Sequence, residues 1–106
     1  MNCYERLHAR GLNERFRFYR YGPGQRFAPH VDGAYERTNG ERSRLTFMIY
    51  LNEGYQGGET RFGWHTITGR TGMALWFDHR LRHEGAELIE GVKYVLRSDV
   101  MYADAP

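Results

Sequence analysis

The stretch from Tyr21 to Asp32 reads Tyr-Gly-Pro-Gly-Gln-Arg-Phe-Ala-Pro-His-Val-Asp and holds a histidine and an aspartate two positions apart. After its Gly-Pro-Gly turn, residues 25–32 are predicted to form a strand, which Pro29 would confine to a sheet edge or a bulge. Because alternate side chains of a strand share a face, His30 and Asp32 should point the same way. The stretch therefore predicts a pair of metal ligands.

A third ligand must come from elsewhere in the chain, and the segment Phe-Asp-His-Arg-Leu-Arg-His offers both His79 and His83. Two histidines and one carboxylate on one side of a metal form the facial triad that binds Fe(II) and leaves coordination positions open. On residue types alone, either histidine could complete the triad.

The rest of the chain alternates short apolar runs with turn residues. Its 13 glycines and 15% aromatic content are typical of an all-β domain with little helix. Further strands are predicted over residues 15–21, 43–52, 59–62, 64–68, 73–77 and 93–102. Seven or eight short strands at this spacing indicate a β-sandwich or a double-sheet jelly roll.

The N-terminal residues differ from this pattern. Residues 1–11 are polar, and Gly11 is typical of the cap that ends a short helix. We therefore expect a short N-terminal segment, residues 1–11, followed by a single domain over residues 12–106. Within the domain, the polar loop of residues 33–42 is predicted to lie over the mouth of the site.

Charge and composition exclude several classes of partner. The 15 basic and 13 acidic residues are spread along the chain and give a net charge of +2, so no basic block indicates nucleic-acid binding. Cys3 is the only cysteine, which rules out an internal disulfide. With no signal peptide and no run of about 20 apolar residues, we expect a cytoplasmic protein without a membrane partner.

Short motifs follow one another in a defined order between residues 12 and 102. They are Tyr21 with Pro23-Gly24, His30-x-Asp32, Leu45-Thr-Phe-Met-Ile-Tyr50-Leu-Asn52, Gly57-Gly-Glu-Thr60, Phe77, His83-Glu-Gly85 and Lys93-Tyr-Val-Leu. Their order and spacing resemble the prolyl-4-hydroxylase-like branch of the Fe(II)- and 2-oxoglutarate-dependent dioxygenases. The resemblance implies a double-stranded β-helix, or jelly roll, of about eight short strands.

The resemblance also implies that His30, Asp32 and His83 bind Fe(II). It favours His83 over His79, because a Glu-Gly pair follows the ligand directly in this branch. Lys93 then lies ten positions after the ligand, where the branch keeps a basic residue.

That basic residue binds the far carboxylate of 2-oxoglutarate in the family, so the same role is implied for Lys93. The resemblance further implies that the Tyr50 hydroxyl donates to this carboxylate and that Tyr21 lines the cosubstrate pocket. Arg97 shares the parity of Lys93 on the last strand and is expected to meet cosubstrate or substrate near the mouth.

Each of these four residues also has a purely structural interpretation. Lys93 could be a surface charge at the start of a strand, and the two tyrosines could be core aromatics whose hydroxyls find a partner. Arg97 could form an ion pair with Asp99 or Glu59.

The activity implied is hydroxylation of an aliphatic carbon, in a prolyl residue or a small amino-acid-like substrate. Dioxygen would be consumed, succinate and carbon dioxide would be co-products, and ascorbate would keep the iron reduced. The alternative is a jelly-roll module that binds metal and a small acid without turnover. A nucleic-acid dealkylase is disfavoured because the double-arginine signature of that branch is missing after His83.

Strand alternation makes a further prediction about the outer surface. If Tyr50 and Lys93 face inward, an apolar set faces the other way: Phe16, Phe18, Phe47, Ile49, Leu51, Tyr94, Leu96 and Val100. Related dioxygenases cover this face with helices, but only about eleven residues precede the first predicted strand, too few for more than a short helix. We therefore expect this face either to pair with another copy of the chain or to mark a fragment or minimal version of a longer protein.

Overall fold

The computed structural model describes residues 7–104, and all regular structure in that range is β-strand. The strands are β1 (Leu7–Leu12), β2 (Arg17–Tyr21), β3 (Phe27–His30), β4 (Arg42–Tyr50), β5 (Gln56–Gly57), β6 (Thr60–Phe62), β7 (His65–Ile67), β8 (Ala74–Asp78), β9 (His83–Gly85), β10 (Leu88–Glu90) and β11 (Lys93–Asp104). The all-β prediction is confirmed, although β1 and the very short strands β5, β9 and β10 were not predicted. Across residues 7–104, no helix is long and apolar enough to cross a membrane.

A five-stranded antiparallel sheet is built on β11, its longest strand. One edge of β11 pairs with β2 over residues 93–97 and with β1 over residues 100–104. The other edge pairs with β4, and β8 extends the sheet beyond β4. Arg97 is therefore held between β2 and β4, whereas Lys93, at the start of β11, pairs with β2 alone.

The second sheet has the strand order β3-β9-β6-β7, and β5 pairs with β10 separately. Its first two strands place His30 directly opposite His83. The register of β3 is irregular between Phe27 and His30, where Pro29 lies. Proline has no N–H to give to a ladder, so it is tolerated here because β3 is an edge strand. The prediction that Pro29 lies at an edge or bulge is confirmed.

The prediction of a short helix ending at Gly11 is wrong for the residues that the structure describes, and residues 1–6 of that prediction lie outside them. Leu7–Leu12 form strand β1, which pairs with the end of β11. The register shifts between Ala9 and Gly11, and Gly11 has a φ of 127°. The glycine therefore marks a β-bulge and not a helix cap, because pairing with a distant strand overrides the local signal.

Among residues 7–104, more polar than apolar side chains are buried. The buried apolar side chains are Tyr50, Phe62, Phe77, Leu88, Val95 and Met101. The buried polar ones are Asn13, Ser43, Thr46, Thr60, His79, His83, Lys93, Ser98 and Asp99. Buried polar groups are costly unless they find partners, so a concentration of them indicates a site.

The outer face of the five-stranded sheet is apolar and exposed, as strand alternation predicts. Phe18 is 74% exposed and Trp76 is 62% exposed. On the same face Phe47 stacks against Trp76 of the neighbouring strand, with ring centroids 5.9 Å apart. Whether a second copy of the chain covers this face stays a prediction.

Candidate active site

Three metal-ligating side chains converge at one end of the space between the two sheets. His30 ends β3, Asp32 follows two positions later, and His83 begins β9. Asp32 Oδ1 lies 3.2 Å from His30 Nε2 and 3.6 Å from His83 Nε2. The candidate ligand atoms of all three residues lie within 4.8 Å of one another. This donor set fits a divalent iron with open coordination positions.

Backbone carbonyls orient both histidine rings. His30 Nδ1 lies 2.7 Å from the carbonyl oxygen of Ala28, and His83 Nδ1 lies 2.9 Å from that of Leu81. A carbonyl can only accept, so each Nδ1 carries the hydrogen and each Nε2 keeps a free lone pair directed towards Asp32. Burial lowers the pKa of His83, which favours the neutral ring that a metal requires.

Aromatic rings hold the two imidazoles from the sides. Phe27 stacks on His30 with centroids 3.9 Å apart and planes tilted by 17°. Phe77 meets His83 edge-on at 4.5 Å, and Phe62 packs edge-on against Phe77 at 4.9 Å. The rings restrict rotation of both histidines and limit the access of water to this end of the site.

The structure brings His83, and not His79, into the cluster with His30 and Asp32. His79 is buried, and both of its ring nitrogens are occupied by hydroxyl groups, those of Ser43 and Thr46. Burial also lowers the pKa of His79. His79, the other histidine that residue types alone allowed as third ligand, therefore lies behind the cluster.

Lys93 is 4% exposed, which excludes its interpretation as a surface charge. Its ammonium donates a hydrogen bond to the Gly58 carbonyl at 2.7 Å and lies 5.1 Å from the centroid of the Tyr21 ring. Burial lowers the pKa of Lys93 to about 8, although the Glu59 carboxylate opposes this shift. An ammonium has three hydrogens, so Lys93 can bind a further acceptor in the cavity.

Gly58 can approach Lys93 because it has no side chain. Its φ of +71° is rarely adopted by other residues, and a Cβ atom would lie 3.1 Å from Leu88 and 3.3 Å from Cδ of Lys93. Gly58, which the sequence analysis named only within the Gly57-Gly-Glu-Thr60 motif, thus positions the carbonyl that holds the lysine.

The two tyrosines lie at different depths. Tyr21 lines the cavity and pairs in register with Lys93. Tyr50 is fully buried, and its hydroxyl lies 2.6 Å from Thr60 Oγ1, which lines the cavity. Burial raises the pKa of both tyrosines, so both hydroxyls stay protonated. A direct contact between Tyr50 and a cosubstrate stays a prediction.

Arg97 lies beside two acidic groups and also lines the cavity, whereas its contact with a cosubstrate or substrate stays a prediction. Its guanidinium lies 3.5 Å from Asp32 Oδ2 and 3.9 Å from Asp99 Oδ1, so it faces a candidate metal ligand and one of the two acidic partners expected. It also lines the cavity, and its Nε is buried without a hydrogen-bond partner among the described residues.

Both sheets contribute to the cavity beside the three ligands. Its lining residues are Tyr19, Tyr21, Phe27, His30, Thr46, Met48, Thr60, His83, Glu84, Gly85, Lys93, Val95 and Arg97. The cavity therefore has imidazole groups from the four-stranded sheet and two cations from β11 of the five-stranded sheet. Such an arrangement can bind a small dianion that reaches from a metal to an ammonium group.

The sequence analysis missed several polar residues that support the site. Thr46 donates a hydrogen bond to Asp32, and Thr60 contacts Tyr50. Thr46 shares the parity of Tyr50 on one strand, so alternation could have identified it as inward-facing. Neither contact can be read from the sequence, because each joins separate strands.

Comparison with known proteins agrees with this geometry. The profile of the 2OG-Fe(II) oxygenase superfamily matches residues 16–98. None of the curated protein sequences matches the chain.

Solved structures similar in fold include the viral collagen prolyl hydroxylase vCPH of Paramecium bursaria Chlorella virus-1 in its 2OG complex, at 23% identity and a TM-score of 0.63 over 85% of this chain and 62% of that one. A Pseudomonas putida prolyl-4-hydroxylase is 22% identical with a TM-score of 0.61, over 86% of this chain and 52% of that one. A 2OG-Fe(II) oxygenase family oxidoreductase from Burkholderia pseudomallei is 16% identical with a TM-score of 0.66, over 93% of this chain and 46% of that one.

The chain thus spans 62% or less of the length of these three structures. Their similarity confirms the jelly-roll fold, and the profile match covers most of the chain. The chain belongs to the 2OG-Fe(II) oxygenase superfamily.

Proposed function

We propose that this protein is a 2-oxoglutarate-dependent hydroxylase of the prolyl-4-hydroxylase-like branch. The observation that carries the proposal is the convergence of His30 Nε2, Asp32 Oδ1 and His83 Nε2 at a cavity that also contains the buried Lys93. The substrate is a prolyl residue or a small amino-acid-like molecule, which is hydroxylated at an aliphatic carbon. Succinate and carbon dioxide are the co-products.

Each part of the site has a separate task in this proposal. His30, Asp32 and His83 hold Fe(II), which together with 2-oxoglutarate supplies the activation of dioxygen. Lys93 binds the far carboxylate of 2-oxoglutarate, in a charge-assisted hydrogen bond of about 1.5–3 kcal/mol. Tyr21 forms a wall of the cosubstrate pocket.

Tyr50 and Arg97 complete the cosubstrate site in this proposal. Tyr50 adds a hydroxyl donor near the far carboxylate, with Thr60 as its partner at 2.6 Å. Arg97 supports a bound anion from the side of Asp32, which it approaches to 3.5 Å. The aromatic rings around the histidines exclude water from the reacting end.

The same proposal includes a reductant, a cellular compartment and a partner chain. Ascorbate keeps the iron reduced, and the protein works in the cytoplasm without a nucleic-acid or membrane partner. The exposed outer face, which includes Phe18 and Trp76, is buried against a second copy of the chain, because so large an apolar surface is unusual on a free monomer.

Succinate formation tests the activity directly. Purified protein would be incubated with Fe(II), 2-oxoglutarate, ascorbate and proline-rich peptides or free amino acids, and succinate would be measured with and without each candidate substrate. We expect succinate release that depends on His83 and increases with a true substrate. His65→Ala is the matched control, because His65 is exposed on β7 away from the cluster.

A different result would favour the alternative function. If the protein bound both Mn(II) and 2-oxoglutarate but formed no succinate with any substrate, a binding or sensing module would replace the hydroxylase. Loss of both binding events would contradict the proposed site itself.

A further inference from the structure

Behind Asp32 lies a row of buried side chains that the proposed chemistry does not use. Thr46 Oγ1 lies 2.5 Å from Asp32 Oδ2 and 2.9 Å from Nδ1 of His79. On the far side of that ring, Nε2 lies 2.7 Å from Ser43 Oγ. The backbone N–H of Tyr35 donates to the same Ser43 oxygen at 2.8 Å. The row thus runs from Asp32 to the loop of residues 33–41.

The hydrogens in this row can be assigned one by one, on the proposal that Asp32 is an ionised metal ligand. The carboxylate can only accept, so Thr46 uses its single hydroxyl hydrogen for Asp32. The Thr46 oxygen must then accept from His79, which requires the hydrogen on Nδ1. Burial lowers the pKa of His79 and favours the neutral ring, so with the hydrogen on Nδ1 its Nε2 can only accept. Ser43 therefore donates its own hydrogen to Nε2, while its oxygen accepts from the N–H of Tyr35. Every group has one consistent role, with His79 as a neutral Nδ1–H ring.

The backbone fixes the same residues a second time. The N–H of Asp32 donates to the carbonyl of His79 at 2.9 Å, and the N–H of His79 donates to that of Arg44 at 3.0 Å. Asp32 is therefore attached by both its main chain and its side chain to the edge formed by β4 and the end of β8. Strand pairing sets the position of Thr46, and His79, which directly follows β8, is held by its backbone hydrogen bond to Arg44.

We propose that Thr46 and His79 are positioning residues that hold Asp32 Oδ2 away from the metal, so that Oδ1 alone faces His30 and His83. The Asp32 carboxylate sets the direction of the row through Thr46, and Ser43 completes the row at Nε2 of His79. The Arg97 guanidinium lies 3.5 Å from the same Oδ2 and adds charge on that side of the carboxylate, but the Thr46 hydroxyl makes the shorter contact, at 2.5 Å. The inference rests on the proposed metal site.

Metal affinity measured without turnover tests the proposal. Mn(II), which does not react with dioxygen, would be titrated by calorimetry into Thr46→Val and Thr46→Ser, and the metal-free melting temperature of each variant would be recorded. Valine keeps the shape but loses the hydroxyl, and loss of an outer contact to a ligand typically weakens metal binding by about 10- to 100-fold. Serine keeps the hydroxyl and should bind Mn(II) like the wild type. Wild-type affinity in Thr46→Val would overturn the proposal.

A second pair of variants tests whether the His79 ring helps to position Asp32. Asparagine at position 79 can present an N–H where Nδ1 lies, whereas leucine cannot, so His79→Asn should bind Mn(II) more tightly than His79→Leu. Equal affinities in variants with the same metal-free melting temperature would remove His79 from the row.

The wild-type protein supplies a test that needs no substitution. Long-range ¹H–¹⁵N correlation spectra of the metal-free protein distinguish the tautomers of a neutral histidine, and we expect Nδ1–H for His79. An Nε2–H tautomer would contradict the assigned direction whether or not the protein is an enzyme. Failure of the wild type to bind Mn(II) would instead contradict the proposed function.

Discussion

The five-stranded sheet departs from an ordinary antiparallel sheet, which buries its apolar face and exposes its polar one. Here the inner face buries the polar Thr46 and Lys93 beside apolar side chains such as Val95. The outer face exposes Phe18 and Trp76. The inner face therefore combines packing with the residues of the candidate site. The comparison shows that the candidate site and the uncovered surface arise together, because successive side chains of the same strands point to opposite faces of the sheet.

The largest effect is expected at the metal end of the inner face. His83→Ala should abolish succinate formation and weaken Mn(II) binding by more than about 100-fold, because it removes one of three ligands. Calorimetric titration with Mn(II) gives the affinity, and His65→Ala serves as the control. If His83→Ala bound Mn(II) like the wild type, the cluster of three would not be the metal site.

The second-largest effect is expected at Lys93, on the affinity for 2-oxoglutarate. Lys93→Ala should raise the apparent KM for 2-oxoglutarate by about tenfold or more, equivalent to about 1.4 kcal/mol or more, and leave Mn(II) affinity nearly unchanged. Steady-state succinate assays at varied 2-oxoglutarate concentration measure it. Unchanged cosubstrate kinetics would move the carboxylate contact to Arg97.

A pH profile tests the same residue without removing it. Burial lowers the pKa of Lys93 to about 8, so the free protein loses this charge as the pH rises through that value. Affinity for 2-oxoglutarate should be constant below about pH 8 and fall above it, by at most about tenfold per pH unit. Lys93→Arg keeps its charge in this range and should flatten the profile. A fall in affinity that persisted in Lys93→Arg would assign the titration to another group.

The smallest energetic effect is expected at the outer face, on the free energy of unfolding. Replacing Phe18 and Trp76 with serine should change the free energy of unfolding of the isolated chain by only about 0.5 kcal/mol per site, because both side chains are exposed. The same double variant should lose self-association in light scattering. A wild-type monomer that does not bind the apolar dye ANS would contradict both the proposed pairing and the idea that this face needs a cover.

Much of the fold could be predicted because its signals are local. Alternating side chains identified β2, β4, β8 and β11, and the turn residues between them marked the boundaries. Strand β1 was missed because Gly11 was interpreted as a helix cap, whereas pairing with β11 makes the segment a strand. Strand β9 has three residues, too few for a periodic pattern.

The candidate site also contains residues that could be predicted from the sequence and residues that could not. His30 and Asp32 could be paired from the sequence because alternate positions of an extended segment share a face, although the predicted strand over residues 25–32 is shorter in the structure and ends at His30. Thr46 could not be linked to His79, since 33 positions separate them and the contact depends on how β4 and β8 align. The sequence thus identified groups that face the cavity, while the groups that orient them required the strand register.

The central place of β11 also has a consequence for the order of folding. Leu7 pairs with Asp104, Tyr21 with Lys93 and Tyr50 with Val95, so the three other strands that β11 joins meet a partner made after all of them. Sheets closed by such distant pairings fold slowly, on the scale of milliseconds to seconds. During synthesis, β1, β2 and β4 would each expose an unpaired edge until β11 emerges, and β2 and β4 also contain aromatic side chains. A nascent chain stalled before Lys93 should therefore bind chaperones more strongly than the full-length chain does.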